Sequence, residues 1–157
     1  MCGHCGCGGV TAIGELREEH LALQEQAHGV RCALADGDRP TALDRLARLT
    51  AHLGRHVERE ERGVFTALRE EGEFAEEVEA LEGEHVALDV AIDALDPQRD
   101  DFRTTVTGLL AELDRHIERE DLGIFPVSVV TLGAAGWATV DRAHADLPTF
   151  LTERTPA

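Results

Sequence analysis

One eleven-residue stretch occurs twice in this chain. Arg55-His56-Val57-Glu58-Arg59-Glu60-Glu61-Arg62-Gly63-Val64-Phe65 returns sixty positions later as Arg115-His116-Ile117-Glu118-Arg119-Glu120-Asp121-Leu122-Gly123-Ile124-Phe125. Each copy carries a His, a Glu four residues on, then a Gly and an apolar pair ending in Phe. On a helix, positions i and i+4 lie one turn apart on one face, so each copy presents an imidazole beside a carboxylate. That donor set suits a transition metal, and its doubling demands a fold that brings two such helices together.

The rest of the chain supplies the helices. Apolar residues recur at spacings of three, four and seven over Thr11 to Ala35, with Ile13, Leu16, Leu23, Ala27, Val30 and Leu34 on one stripe. Asp36-Gly37-Asp38-Arg39-Pro40 breaks this helix, and a second is predicted from Thr41 to Glu70 with Leu46, Leu49, Leu53 and Val64 inward. A third runs from Glu73 to Leu95, stopped by Asp96-Pro97, and a fourth from Asp101 to Ile124, ended by Pro126. A short helix from Trp137 to Thr152 follows. No strand-like alternation occurs. The pattern predicts an all-α chain: an antiparallel up-down four-helix bundle over 11–126, a Cys/Gly-rich tail over 1–10 that cannot start a helix, and a C-terminal segment over 127–157 whose short helix packs on the bundle.

Composition narrows the chemistry. The 157 residues suit one domain, and the formal charge of −16 argues against a nucleic acid or an anionic membrane as partner. No apolar run approaches the roughly 18–20 residues of a membrane span, and the N-terminus lacks a signal-peptide pattern, so a cytoplasmic location is expected. All fifteen basic residues are Arg, which removes Lys chemistry, and there is no Tyr to store a radical. The eight His are the one compositional excess.

Each half of the repeat offers one His on its first helix and His-x-x-x-Glu on its second: His20 with His56 and Glu60, then His85 with His116 and Glu120. His20 and His56 stand about fifteen residues either side of their turn, so an antiparallel pair sets them level at ~1.5 Å per residue. His85 and His116 differ in level by about five residues, and His56 and His85 by about three, or ~4–8 Å. The six side chains are therefore expected to converge. Mixed imidazole and carboxylate donors favour iron, manganese or zinc over calcium or magnesium, and two metals bridged by the two carboxylates would match the repeat. The rival Glu-x-x-His pattern of ferritin-like proteins is present as Glu25-x-x-His28 and Glu82-x-x-His85, but it sets Glu25 and Glu60 ~13 Å apart in level and strands His56 and His116.

These residues resemble the hemerythrin-like, or HHE cation-binding, family over about Glu15 to Phe125. The resemblance implies a four-helix bundle around two non-haem iron ions joined by an oxo or hydroxo bridge. His20, His56, His85 and His116 would be terminal ligands, and Glu60 and Glu120 bridging carboxylates. Asp121 has the spacing of the bridging Asp of the oxygen carriers, while Glu120 has the spacing of the repeat. The carriers' fifth His, one turn from the third-helix His, is missing: Leu81 and Asp89 stand there. The six-ligand set resembles stress-response members of the family. It implies reaction with O₂, NO or peroxide in oxidative or nitrosative stress, or repair of iron centres, with an iron- or oxygen-sensing or storage module as the alternative.

Several residues are candidates for supporting roles. His52, one turn before His56, and Glu61, Asp89 and Asp121 are candidates to hold or neighbour the ligands. Cys2, His4, Cys5 and Cys7 form a further candidate metal or redox tail. The repeated Gly63 and Gly123 predict close helix packing or room for a small ligand, and His28 and His144 are expected at the surface.

Overall fold

The computed structural model describes residues 7–153, with side chains from 11 onward, and these are helical with no strand among them. Helix α1 spans Cys7–Ala35, α2 Arg39–Glu60, α3 Thr66–Glu71, α4 Ala75–Asp93, α5 Phe102–Arg119, α6 Phe125–Thr131 and α7 Ala134–Asp146. Among the described residues no helix is long and apolar enough to cross a membrane. Helix α1 starts at Cys7, within the stretch expected to be too glycine-rich to begin one. Cys2, His4 and Cys5 lie outside the described residues, as does the Cys7 side chain.

Local chemistry sets the breaks. Gly37, at φ +73°, turns the chain after α1, and the Asp38 side chain accepts the Thr41 amide at 3.1 Å and the Thr41 hydroxyl at 2.7 Å. That cap, with Pro40 in the first turn, starts α2. Gly72, at φ +98°, closes α3.

Two joins differ from the sequence reading. Between α2 and α3 the helix does not stop but widens into one π turn, Glu61–Phe65. Between α5 and α6 the same happens over Glu120–Ile124. The first π turn starts just after Glu60 and the second at Glu120, and each contains the Gly of the repeated stretch. One extra residue per turn rephases the helix, so Val64, Phe65 and Leu68 stay inward beyond Glu60. Pro126, expected to end the fourth helix, sits in the first turn of α6. There the Phe125 amide reaches back five residues to Glu120, and a proline's missing N–H is tolerated where the ladder is already changing register. The expected helix from Trp137 to Thr152 is instead α7, begun three residues earlier, and a short 3₁₀ turn, Phe150–Thr152, on the far side of Pro148.

The core falls into two apolar clusters. One gathers Leu23, Val30, Leu49, Leu53, Leu88, Phe102, Val106, Leu110 and Leu113. The other gathers Ile13, Leu16, Val64, Phe65, Leu68, Val78, Phe125 and Val140, with Trp137 against it. On each long helix polar residues are buried between the clusters: Glu19 and His20, then His56, Arg59 and Glu60, then His85, and then His116 and Glu120. Partners descend on α2 as they rise on α1, from Glu15 with Arg59 through Glu19 with His56 to Gln26 with His52.

Leu110, fully buried in the first cluster, tests this packing. Leu110→Ala should lower unfolding free energy by about 2–5 kcal/mol in urea titration, and Asp38→Ala by about 1 kcal/mol.

Candidate metal centre

Six side chains meet in the polar layer, and all are at least 94% buried: His20, His56, Glu60, His85, His116 and Glu120. The imidazoles approach in pairs through Nε2, at 3.1 Å for His20 and His56 and 2.9 Å for His85 and His116. His56 Nε2 lies 3.2 Å from Glu60 Oε2, and His85 Nε2 lies 3.2 Å from Glu60 Oε1, so one carboxylate offers an oxygen to each pair. Glu120 Oε1 stands 3.2 Å from His20 Nε2 and 3.1 Å from His116 Nε2. Two groups of donor atoms result, each confined within 4.8 Å: His20 and His56 with both glutamates, and His85 and His116 with the same two glutamates.

The orientation of the rings is imposed from behind. Each imidazole turns Nδ1 to a carboxylate: His20 to Asp121 at 2.8 Å, His56 to Glu19 at 2.9 Å, His85 to Glu61 at 3.2 Å and His116 to Glu84 at 2.6 Å. An Nδ1–H donated to a carboxylate leaves the Nε2 lone pair facing inward, as a metal ligand requires. The scheme crosses the repeat. The second-helix His of each half is held by the Glu preceding the first-helix His of its own half. The first-helix His is held by the acid following the ligand Glu of the other half. Phe125 stacks on His20 at 5.2 Å and 10°, and Phe65 on His85 at 5.6 Å and 7°, so each repeated Phe also serves the opposite half.

The donors fit metal ions. Among the described residues none of the four oxygens of Glu60 and Glu120 has a hydrogen-bond partner, although all are buried, and a buried carboxylate left so costs several kcal/mol. Two nitrogens bound to one ion at ~2.1 Å and near a right angle would stand ~3.0 Å apart, close to the spacing of both pairs. Electrostatics agree. Burial alone would lower the His56 imidazolium, but Glu60 and Glu19 outweigh it and raise it to about 9. His20 and His85 are also raised, against burial, by Asp121 and Glu120 in one case and Glu60 in the other. Burial and the Glu60 charge push Glu120 well above its ordinary value. Glu60 moves well below, because Glu120, His56 and His85 overcome its burial. A cation between them would replace the protons that the free site retains.

The other candidates fall in different places. Glu61 and Asp121 lie against the rings of His85 and His20. Asp89 is exposed and lines a groove that ends on His85. His52 stands apart from the six, bonded to Gln26 at 2.9 Å and Glu153 at 3.0 Å and stacked on Phe150. A Cβ placed on Gly63 would stand 3.5 Å from the Ala143 Cβ, in ordinary contact with α7, whereas one on Gly123 would meet nothing within 4 Å. His28 is exposed, but His144 is largely covered, its Nδ1 3.3 Å from Arg59 Nη2, and burial and Arg59 lower its pKa.

Glu19, Glu84 and Arg59 are absent from the sequence reading. The signal was a Glu-His pair in both halves, Glu19-His20 and Glu84-His85. Arg59 is 1% exposed, pairs with Glu19 at 3.1 Å, and donates to the Glu15 carboxylate and the Leu147 carbonyl.

No curated protein and no solved structure matches the chain significantly. The family model described as the hemerythrin HHE cation-binding domain matches residues 11–128, three quarters of the sequence, across all six clustered residues. The chain belongs to the hemerythrin family, and its His and Glu clusters are able to bind metal.

Proposed function

We propose that this chain is a non-haem di-iron protein that binds or reacts with a small oxidant such as O₂, NO or peroxide, in oxidative or nitrosative stress or in iron-centre repair. His20 and His56 would hold one iron, His85 and His116 the other, and Glu60 and Glu120 both. The observation that carries this reading is the pair of shared, fully buried carboxylates with no hydrogen-bond partner, set between two pairs of inward-facing Nε2 atoms. Bound there, iron would supply the redox chemistry for such a ligand. Glu19, Glu61, Glu84 and Asp121 hold the rings in place, and Phe65 and Phe125 keep the layer dry beside His85 and His20. The contacts of α1 with α2, of α4 with α5 and of α1 with α5 support an antiparallel up-down bundle as the frame.

Metal analysis should find two iron ions per chain in protein grown with adequate iron, and His56→Ala or His116→Ala should hold fewer. At a thousandfold excess over Kd, bound metal adds about 4 kcal/mol to stability, or roughly 8–16 °C in Tm for a domain of this size. Calorimetry before and after chelation measures that shift. An unchanged Tm together with less than one iron per chain would reject the reading. Steady loss of added peroxide would identify an enzyme; reversible spectral change without peroxide loss would identify a sensing or storage module.

Protons give an independent check. His56, raised from 6.5 to about 9, adds stability to the metal-free chain that is complete below pH 6.5 and lost as pH climbs through 9. The stability difference between the metal-free wild type and His56→Ala should therefore shrink across that window, followed by thermal melts at several pH values. Metal uptake at neutral pH should release protons, read with an indicator dye. Glu19→Gln, which removes one of the charges supporting His56, should release fewer and weaken metal binding by about 10–100-fold.

A further inference from the structure

The two halves of the site share a sequence pattern but not a setting. Behind His56, Glu19 is fully buried; it accepts Thr149 Oγ1 at 2.9 Å and pairs with buried Arg59. The chain beyond the repeat seals that side, through the Leu147 carbonyl on Arg59 and through His144 beside it. Behind His116, the matching Glu84 is 32% exposed and the matching Arg119 48% exposed.

The surface is also indented beside the histidines of the second half. A groove of about 280 Å³ between α2 and α4 ends on His85 and on Glu61, which holds its ring. Leu53, Val57, Leu88 and Ile92 give it apolar walls. The charged groups lining it are two carboxylates, Glu61 inside and exposed Asp89. Gly54 forms part of its wall in mid-helix, and a Cβ built there meets nothing within 4 Å. A helix interior disfavours glycine, and no close packing at this position requires it, so the space beside Gly54 is left open. On the other side of α4, a smaller cavity of about 210 Å³ reaches His116. Its inner end is occupied by Glu84, bonded to both His116 and Arg119 at 2.6 Å.

We propose that the groove between α2 and α4 is the route by which an exogenous ligand reaches the centre, that it arrives on the His85–His116 side, and that the groove selects small uncharged molecules over anions. This rests on the di-iron reading above. Apolar walls admit O₂ or NO with little desolvation cost, and uncharged hydrogen peroxide at less cost than an ion, whereas two carboxylates in a chain of charge −16 repel an anion of the same size.

The test uses the full chain loaded with iron, with metal content measured before any rate. Gly54→Leu adds a bulky apolar side chain to the groove wall, at a position where a Cβ meets nothing within 4 Å, and Gly108→Leu, at another helical glycine with open space, is the control. Stopped-flow binding of NO to the reduced protein should slow by at least about tenfold in Gly54→Leu and stay unchanged in Gly108→Leu. Asp89→Asn should speed azide binding to the oxidised protein by about two- to threefold, by removing one charge, and leave the NO rate alone. Equal NO rates in wild type and Gly54→Leu, with both irons present and melting curves intact, would overturn the route while leaving the di-iron reading standing. Azide rates indifferent to Asp89→Asn would overturn the selection. A wild type that takes up no iron fails at the metal analysis, and both readings fall together.

Discussion

The fold is organised around the cost of burying charge. Four imidazoles and two carboxylates occupy one layer of the core, and transfer of such groups from water is opposed by several kcal/mol each unless they are paired. The chain meets that cost in a specific order. Each imidazole gives its Nδ1 side to a carboxylate at the edge of the layer, and the inward Nε2 atoms are left to one another and to Glu60 and Glu120. The edge groups are thereby satisfied by protein, and the two central carboxylates are not. A bundle whose only aim was stability would fill this layer with Leu, as it does on either side.

The same layer explains why the halves cannot be separated. His20 depends on Asp121 and Phe125 from the second half, and His85 on Glu61 and Phe65 from the first. Neither hairpin carries a complete setting for its own first-helix His. The π turns belong to this arrangement. One starts directly after Glu60 and the other at Glu120, so each of these glutamates can face the centre, the next acid can reach a ring on another helix, and the Phe four residues further still points inward. An unbroken α-helix turns successive residues 100° apart and would carry Phe65 and Phe125 off that face.

What could be read from the sequence follows from how local each signal is. The long helices, the turn at Gly37 and the convergence of His20, His56, His85 and His116 are all carried by periodicity and spacing. The π turns were not legible, because the apolar pattern across Glu60 to Leu68 fits a plain α-helix to within one residue. For the same reason Pro126 reads as a stop, whereas its missing N–H falls where the ladder is changing register. Glu19 and Glu84 escaped notice because an acid beside a His is unremarkable in a chain with 31 acidic residues. Only the tertiary contact separates them from solvated neighbours such as Glu18. His52 misled in the opposite sense. Its i, i+4 relation to His56 is real, but the cluster lies on the side of α2 that His56 shares with Glu60, and His52 turns toward Gln26 and Phe150.

Arg59 and Arg119 show how a repeat acquires two settings from one pattern. They follow His56 and His116 by three residues, and both lie beside the Glu that holds that His. The segment after the repeat has no counterpart after the first half. It covers Arg59 and Glu19 and leaves Arg119 and Glu84 in contact with water. Low dielectric around Glu19 fixes the His56 ring firmly, while solvent near Glu84 and Glu61 screens their hold on His116 and His85. Leu81 and Asp89 act in the same direction. One is buried in the second apolar cluster and the other is exposed at the groove, so neither adds a donor to the centre where a fifth His could have stood. The asymmetry therefore arises outside the ligand set, from a C-terminal segment that packs on only one of two equivalent faces.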